Sequence, residues 1–149
     1  MADEAEILAL LDRHLRCIWE GDLQTYAATT APDVTFFEWY ISTQRIDGLD
    51  FHLREMAATH RTAELRRQSG GLYQVEHEVL APRVQVYGDV AIATYTLLMR
   101  YTTGQGVRHT EHNETRAFHR RQDGWQLVHC HKSPMWSAPH QPFGCATRD

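Results

Sequence analysis

The segment Asn113–Met135, NETRAFHRRQDGWQLVHCHKSPM, constrains the fold of this chain more than any other stretch. Asp123-Gly124 is a turn signal, and residues that favour strands flank it on both sides, so two antiparallel strands joined by a tight turn are expected. Two registers are open. A two-residue loop at Asp123-Gly124 puts Arg116 on one face with His131 and sends Lys132 to the other. A three-residue loop, Gln122-Asp123-Gly124 with Gly124 in the left-handed position, puts Arg116, Phe118, Val128, Cys130 and Lys132 on one face. A one-residue slip flips every side chain, so the two exclude each other. The second is preferred because it gives one face an apolar floor with two cations at its end, the outline of an anion-binding cavity. An edge hairpin with solvated charges is the alternative.

The rest of the chain supplies helices first and strands later. Over Glu4–Glu20, Ile7, Leu8, Leu11, Leu15, Ile18 and Trp19 recur at spacings of three and four, which predicts a helix with one apolar stripe. Gly21-Asp22 ends it, and a short second helix over Leu23–Thr29 stops before Pro32. Val34–Tyr40, VTFFEWY, reads as a strand. A third helix runs from a cap at Asp47 or Asp50 to about Leu65. From Leu72 onward the pattern is nearly all strand: Tyr73–Leu80, Pro82–Tyr87, Val90–Thr102 and Val107–Arg121, then the hairpin. Helices that precede an antiparallel meander, instead of alternating with it, place the chain in the α+β class. A single domain spanning 1–149 is expected, with an irregular tail over 135–149. Such a sheet, bent over the long first helix, makes a cone with an inner cavity suited to a small molecule.

The chain has 149 residues, with 42% hydrophobic and 23% charged, a balance typical of a globular domain. Its net charge of −4 gives no basic surface for nucleic acid. The acidic N-terminus lacks a signal-peptide pattern, and no apolar run is long enough to span a bilayer. Cys17, Cys130 and Cys145 lack CxxC spacing, which fits free thiols in a reducing cytoplasm.

Several stretches resemble the association (hub) domain of calcium/calmodulin-dependent protein kinase II, within the NTF2-like superfamily that also holds SnoaL-type cyclases and ketosteroid isomerase. They are GDLQTY at Gly21–Tyr26, FFE at Phe36–Glu38, DGLDFH at Asp47–His52, the YGDVA–Arg100 segment, and ETRAFHRRQDGWQLVHCHKSP at Glu114–Pro134. The resemblance implies a cone-shaped fold that dimerises through the open face of its sheet; the sequence departs from the kinases in showing no kinase domain, so a stand-alone hub is expected. It also implies a pocket for a small carboxylate on His52, Arg100 and Arg116, with Lys132 where the family has arginine. Lysine keeps the charge and loses the bidentate fork. Relative to the kinase hubs, the segment between His52 and Leu80 is longer and the Thr103–Gly106 hairpin shorter.

Convergence of His52, Arg100, Arg116 and Lys132 would bury a cation cluster that demands an anion. That anion is a ligand carboxylate or a protein carboxylate such as Glu38 or Glu114. In the binding reading Arg116 is the anchor, Arg100 and His52 assist, and Lys132 sits at the rim. Glu38 or His52 as general base is the enzymatic alternative, of the SnoaL or isomerase type; for Glu38 a salt bridge is the competing role. Neither a cofactor nor a metal site is expected, since the ten histidines show no zinc-type spacing with cysteine. His129 and His131, two apart, share the outer face with Leu127, where a contact with a second copy is expected. Cys130 reads as a small buried residue of the apolar floor rather than a nucleophile, and Trp39, Trp125 and Trp136 as packing or interface residues.

Overall fold

A computed structural model of the chain describes residues 1–135. Helices α1 (Ala2–Glu20), α2 (Leu23–Thr29) and α3 (Asp50–Gln68) accompany strands β1 (Thr30–Glu38), β2 (Ile46–Asp47), β3 (Tyr73–Tyr87), β4 (Val90–Thr103), β5 (Gly106–Arg121) and β6 (Gly124–Pro134). The strands form one curved, unclosed six-stranded sheet in the order β2-β1-β6-β5-β4-β3. β1 runs parallel to β6, and every other neighbouring pair is antiparallel. The α+β class and the helix-on-sheet layout follow the pattern of the sequence. The predicted tail falls largely on 136–149, outside the described residues. No described helix is long and apolar enough to cross a membrane.

The stripe of α1 buries Ile7, Leu10, Leu11 and Leu15 against Val34, Phe36, Ala91, Ala93, Leu97, Phe118, Trp125 and Leu127. All of these strand residues lie on one face of the sheet, so the core sits between that face and α1. Gly21 closes α1 at φ 71°, its N–H bonded to the Cys17 carbonyl. Asp22 then caps α2 by accepting from the Thr25 N–H at 3.0 Å.

Four expectations need correction. The cap of α3 is Leu49, with no side-chain cap bond; Asp50 lies in the first turn, where its charge suits the helix dipole. The helix runs one turn past Leu65. Tyr73–Leu80 and Pro82–Tyr87 are a single strand: one extra residue, accommodated between Leu80 and Arg83, absorbs Pro82 as a bulge, with Ala81 at φ 48°. An edge strand tolerates this, because a proline lacks the N–H that a central strand must donate.

The fourth correction concerns the hairpin. Arg121 pairs with Gly124, so the loop is Gln122-Asp123, and neither predicted register holds throughout. Phe118 pairs with Leu127 and Ala117 with His129, so Val128 is an extra residue on β6. This bulge reverses the parity of the strand. Trp125 and Leu127 point inward before it, Cys130 and Lys132 after it. Arg116, Phe118, Cys130 and Lys132 therefore share the inner face as expected. Leu127 replaces Val128 in the floor and leaves the outer face that His129 and His131 keep.

Gly21 is the position least open to a side chain. A Cβ there would lie 2.3 Å from His60 Cγ, and the left-handed backbone adds its own strain. Gly21→Ala is expected to lower unfolding free energy by at least about 1–2 kcal/mol, the backbone cost alone. Chemical denaturation of Gly21→Ala and of Gly21→Ala/His60→Ala checks this; the second change should return only the part due to the clash.

Candidate functional site

The alternation of β5 places His112, Glu114 and Arg116 on the inner face, two residues apart, and buries all three. Lys132 lies opposite Glu114 on β6, and Glu38 is its neighbour on β1. Three adjacent strands thus bring two carboxylates and two permanent cations together. Glu38 and Glu114 are each 2% exposed and Arg116 1%.

The contacts are extensive. Arg116 donates from Nε to Glu114 Oε2 at 2.9 Å and to the Tyr95 hydroxyl at 2.7 Å, and Tyr95 donates in turn to Glu114. His112 Nε2 meets Glu114 Oε1 at 2.8 Å. Lys132 Nζ donates to Glu38 Oε2 at 2.8 Å and lies 3.7 Å from Glu114 Oε1, bridging the two carboxylates. Tyr40 donates to Glu38 at 2.9 Å, and His52 Nε2 is bonded to the other Glu38 oxygen. His14, from α1, is buried beside this group with Nδ1 on the Thr29 hydroxyl at 2.8 Å. Arg116 Nη1 is buried without a hydrogen-bond partner.

Burial by itself would raise both carboxyl groups. For Glu38 the His52 hydrogen bond and the Lys132 charge outweigh it, and for Glu114 the Arg116 and Lys132 charges do; both are held well below the usual carboxylate range. Burial would likewise lower Lys132, but Glu114 and Glu38 hold it well above the ordinary lysine value. Burial pushes the Cys130 thiol up to about 12, which keeps it protonated and supports its reading as a floor residue.

A cavity of about 460 Å³ opens onto this group. Leu15, Ile18 and Trp19 of α1, with Leu97 and Met99 of β4 and Trp39 after β1, make its apolar walls. Glu114, Arg116, His112 and Lys132 form its polar end, and Tyr101, Arg108, Thr110 and Glu111 also line it.

Three of the four residues expected to converge do so. His52, Arg116 and Lys132 belong to the group, whereas Arg100 does not. Ala93 on β4 pairs with Arg116, so the two share a face; Arg100, an odd number of residues along an unbroken ladder, points to the opposite one. There it is exposed, with Glu76 at 3.4 Å and His109 at 3.2 Å. Lys132 is not a hydrated rim residue, since its side chain is 11% exposed between two carboxylates. Both Glu38 oxygens are occupied, one by Lys132 and Tyr40 and the other by His52. Tyr40, Tyr95 and the role of His112 went unread, although the His112-x-Glu114-x-Arg116 alternation carries the signal for His112.

Comparison with known proteins bears on this geometry. The profile of the calcium/calmodulin dependent protein kinase II association domain matches residues 3–136. The chain belongs to that family. It is 29% identical over 143 residues to the rabbit (Oryctolagus cuniculus) calcium/calmodulin-dependent protein kinase type II subunit delta. The alignment covers 95% of this chain and 25% of the kinase, so the chain spans about a quarter of that relative's length. Among solved structures, the hub homology domain from Chlamydomonas reinhardtii superposes with a TM-score of 0.75 at 25% identity, covering 89% of this chain and 98% of the other. An NTF2-like protein of cystatin-like fold from Novosphingobium aromaticivorans gives a TM-score of 0.76 at 17% identity, over 93% and 85% of the two chains. At that identity the likeness is one of fold alone.

If the buried group is one energetic unit, removing a single member strands its partner. Arg116→Met is expected to cost about 3–5 kcal/mol of unfolding free energy. Adding Glu114→Leu should restore part of that loss. Urea unfolding of both single variants and the double variant measures the coupling; additivity within about 0.5 kcal/mol would show the two groups to be independent.

Proposed function

We propose that this chain is a self-associating module, at least a homodimer, whose inner cavity binds a small carboxylate without catalysing a reaction. The observation that carries self-association is the outer face of the sheet. All three described helices lie on the inner side, and the outer side of β1 and β6 carries Phe37, 39% exposed, edge-on to His129 and tilted against His131 with centroid distances of 6.1 and 5.2 Å. An aromatic with polar rings around it, on a sheet face that no described helix covers, suits a second copy of the same face in a two-fold contact. Membership of an association-domain family supports the same reading. Cys17 and Cys130 are free and buried, in keeping with a cytoplasmic setting.

The ligand reading rests on the cavity. Its apolar walls suit the body of a small organic acid, and Arg116 lines its polar end with one guanidinium nitrogen unpartnered. A buried donor of this kind favours a ligand oxygen, and a guanidinium holds a carboxylate well. In this reading His52 orients Glu38 from outside the cavity, and Lys132, shared by the two carboxylates, stands beside Arg116 at its polar end. Glu38, paired on both oxygens, fits a structural anion better than the general base of an isomerase.

Light scattering at micromolar concentration is expected to return a dimer or larger assembly, and Phe37→Glu to shift it towards monomer. Burial and the neighbouring His131 already lower the His129 pKa, so the interface favours a neutral His129 ring. Association should therefore weaken between pH 8 and pH 5, as His129 gains charge. A wild-type monomer at pH 8 would refute the self-association reading.

For the ligand, a thermal-shift series with hexanoate and phenylacetate should raise the wild-type melting temperature at millimolar concentration. Arg116→Lys keeps the charge beside Glu114 but loses the fork, and is expected to bind about tenfold more weakly, equivalent to about 1.4 kcal/mol. No stabilisation of wild type by either acid would remove the carboxylate reading.

A further inference from the structure

We infer that the cavity takes up its carboxylate together with one proton, and that His112 holds that proton. The inference rests on the carboxylate-binding reading and adds the charge state and ligand class that the site accepts.

The charge count of the buried group sets the requirement. Glu38 and Glu114 carry two negative charges, and Lys132 and Arg116 carry two positive ones. With neutral histidines the group is already balanced. A ligand carboxylate beside Arg116 would leave one uncompensated negative charge at the buried polar end of the cavity, a cost of the kind that opposes binding unless a further cation is supplied. Among side chains, histidine gains charge most readily near neutral pH.

Three histidines belong to the surroundings. His14 on α1 is wholly enclosed and faces Thr29 and Tyr26, with no carboxylate contact to stabilise a charge. His52 on α3 has a carboxylate partner, Glu38, but does not line the cavity. His112 on β5 meets both conditions. It lines the cavity, and its Nε2 lies 2.8 Å from Glu114 Oε1. Its other neighbours are the Trp39 ring, edge-on at 5.5 Å, and the Tyr40 ring at 6.4 Å. Lys132 reaches the same Glu114 oxygen, Arg116 holds the other, and Arg108 and Glu111 stand at the cavity wall.

A proton arriving from solvent on His112 converts its hydrogen bond to the Glu114 carboxylate into an ion pair. No covalent bond changes. The bound state then holds three negative and three positive charges, the ligand on Arg116 and imidazolium on Glu114. A ligand with two carboxylates exceeds this capacity, so the site selects monocarboxylates with an apolar body over dicarboxylates of equal length.

Isothermal titration of the full chain with phenylacetate, in buffers of differing ionisation enthalpy at pH 7.5, tests this. The expected result is uptake of about one proton per acid bound, with affinity rising up to about tenfold per pH unit from pH 8.5 to 7.5. The dicarboxylate glutarate should bind at least about tenfold more weakly than the monocarboxylate pentanoate. In His112→Asn, which retains an amide donor but cannot titrate, uptake and pH dependence should vanish while the melting temperature reports a folded protein. Should that variant fail to fold, the wild-type uptake and the glutarate comparison decide. Phenylacetate binding without proton uptake overturns the inference and leaves the carboxylate reading standing. Uptake that persists in folded His112→Asn overturns the assignment to His112. Absence of binding by either monocarboxylate at any pH overturns both.

Discussion

The ion pair between Arg116 and Glu114, extended through Lys132 to Glu38, is the interaction on which the interior depends. A guanidinium and two carboxylates lie almost wholly out of water, each held by several hydrogen bonds. Desolvating such groups is costly, and only dense mutual pairing offsets it. The pairing in turn requires β1, β6 and β5 to be adjacent and in register, since each supplies one side of the group. A shift of any of the three strands would strand a charge, so the network acts against misregistration as well as stabilising the native pairing.

The same network gives the cavity its character. Arg116 and Lys132 alone would make a strongly cationic pocket, but Glu38 and Glu114 neutralise them, and the cavity presents a balanced polar end beneath apolar walls. Balance changes the kind of ligand that fits. A free cation pair would attract almost any small anion, whereas a charge-balanced end does not. The outer side of the same strands carries Phe37, His129 and His131, so the buried charge group and this outer aromatic patch share a backbone.

Val128 shows how much one residue decides. The hairpin was legible in the sequence, and so was the sharing of a face by Arg116, Phe118, Cys130 and Lys132. The path to that arrangement was not. It needs a shorter loop and a bulge, and a bulge leaves no mark on alternation that a longer loop would not also leave. Pro82 hid a continuous strand for a related reason, because an extra residue beside it let the edge strand continue. Arg100 failed on parity: a matching motif says which residue occupies a strand, while the ladder says which way it points.

The sequence by itself determined the α+β class, the succession of helices before the main strands, the apolar stripe of α1 and the family, because periodicity and motif spacing are local properties of the chain; the short β2 and the unity of β3 it did not give. It also marked Arg116, Lys132, His52 and Glu38 as residues of consequence. Only the tertiary structure decided that Glu38 and Glu114 neutralise the cations, that Lys132 is buried between them, that Arg100 faces outward, and that Tyr40, Tyr95 and His112 complete the group. The physical reason is that pairing of buried charges depends on which strands are neighbours and where their bulges fall, and residues as distant in sequence as Glu38 and Lys132 meet only once the sheet is assembled.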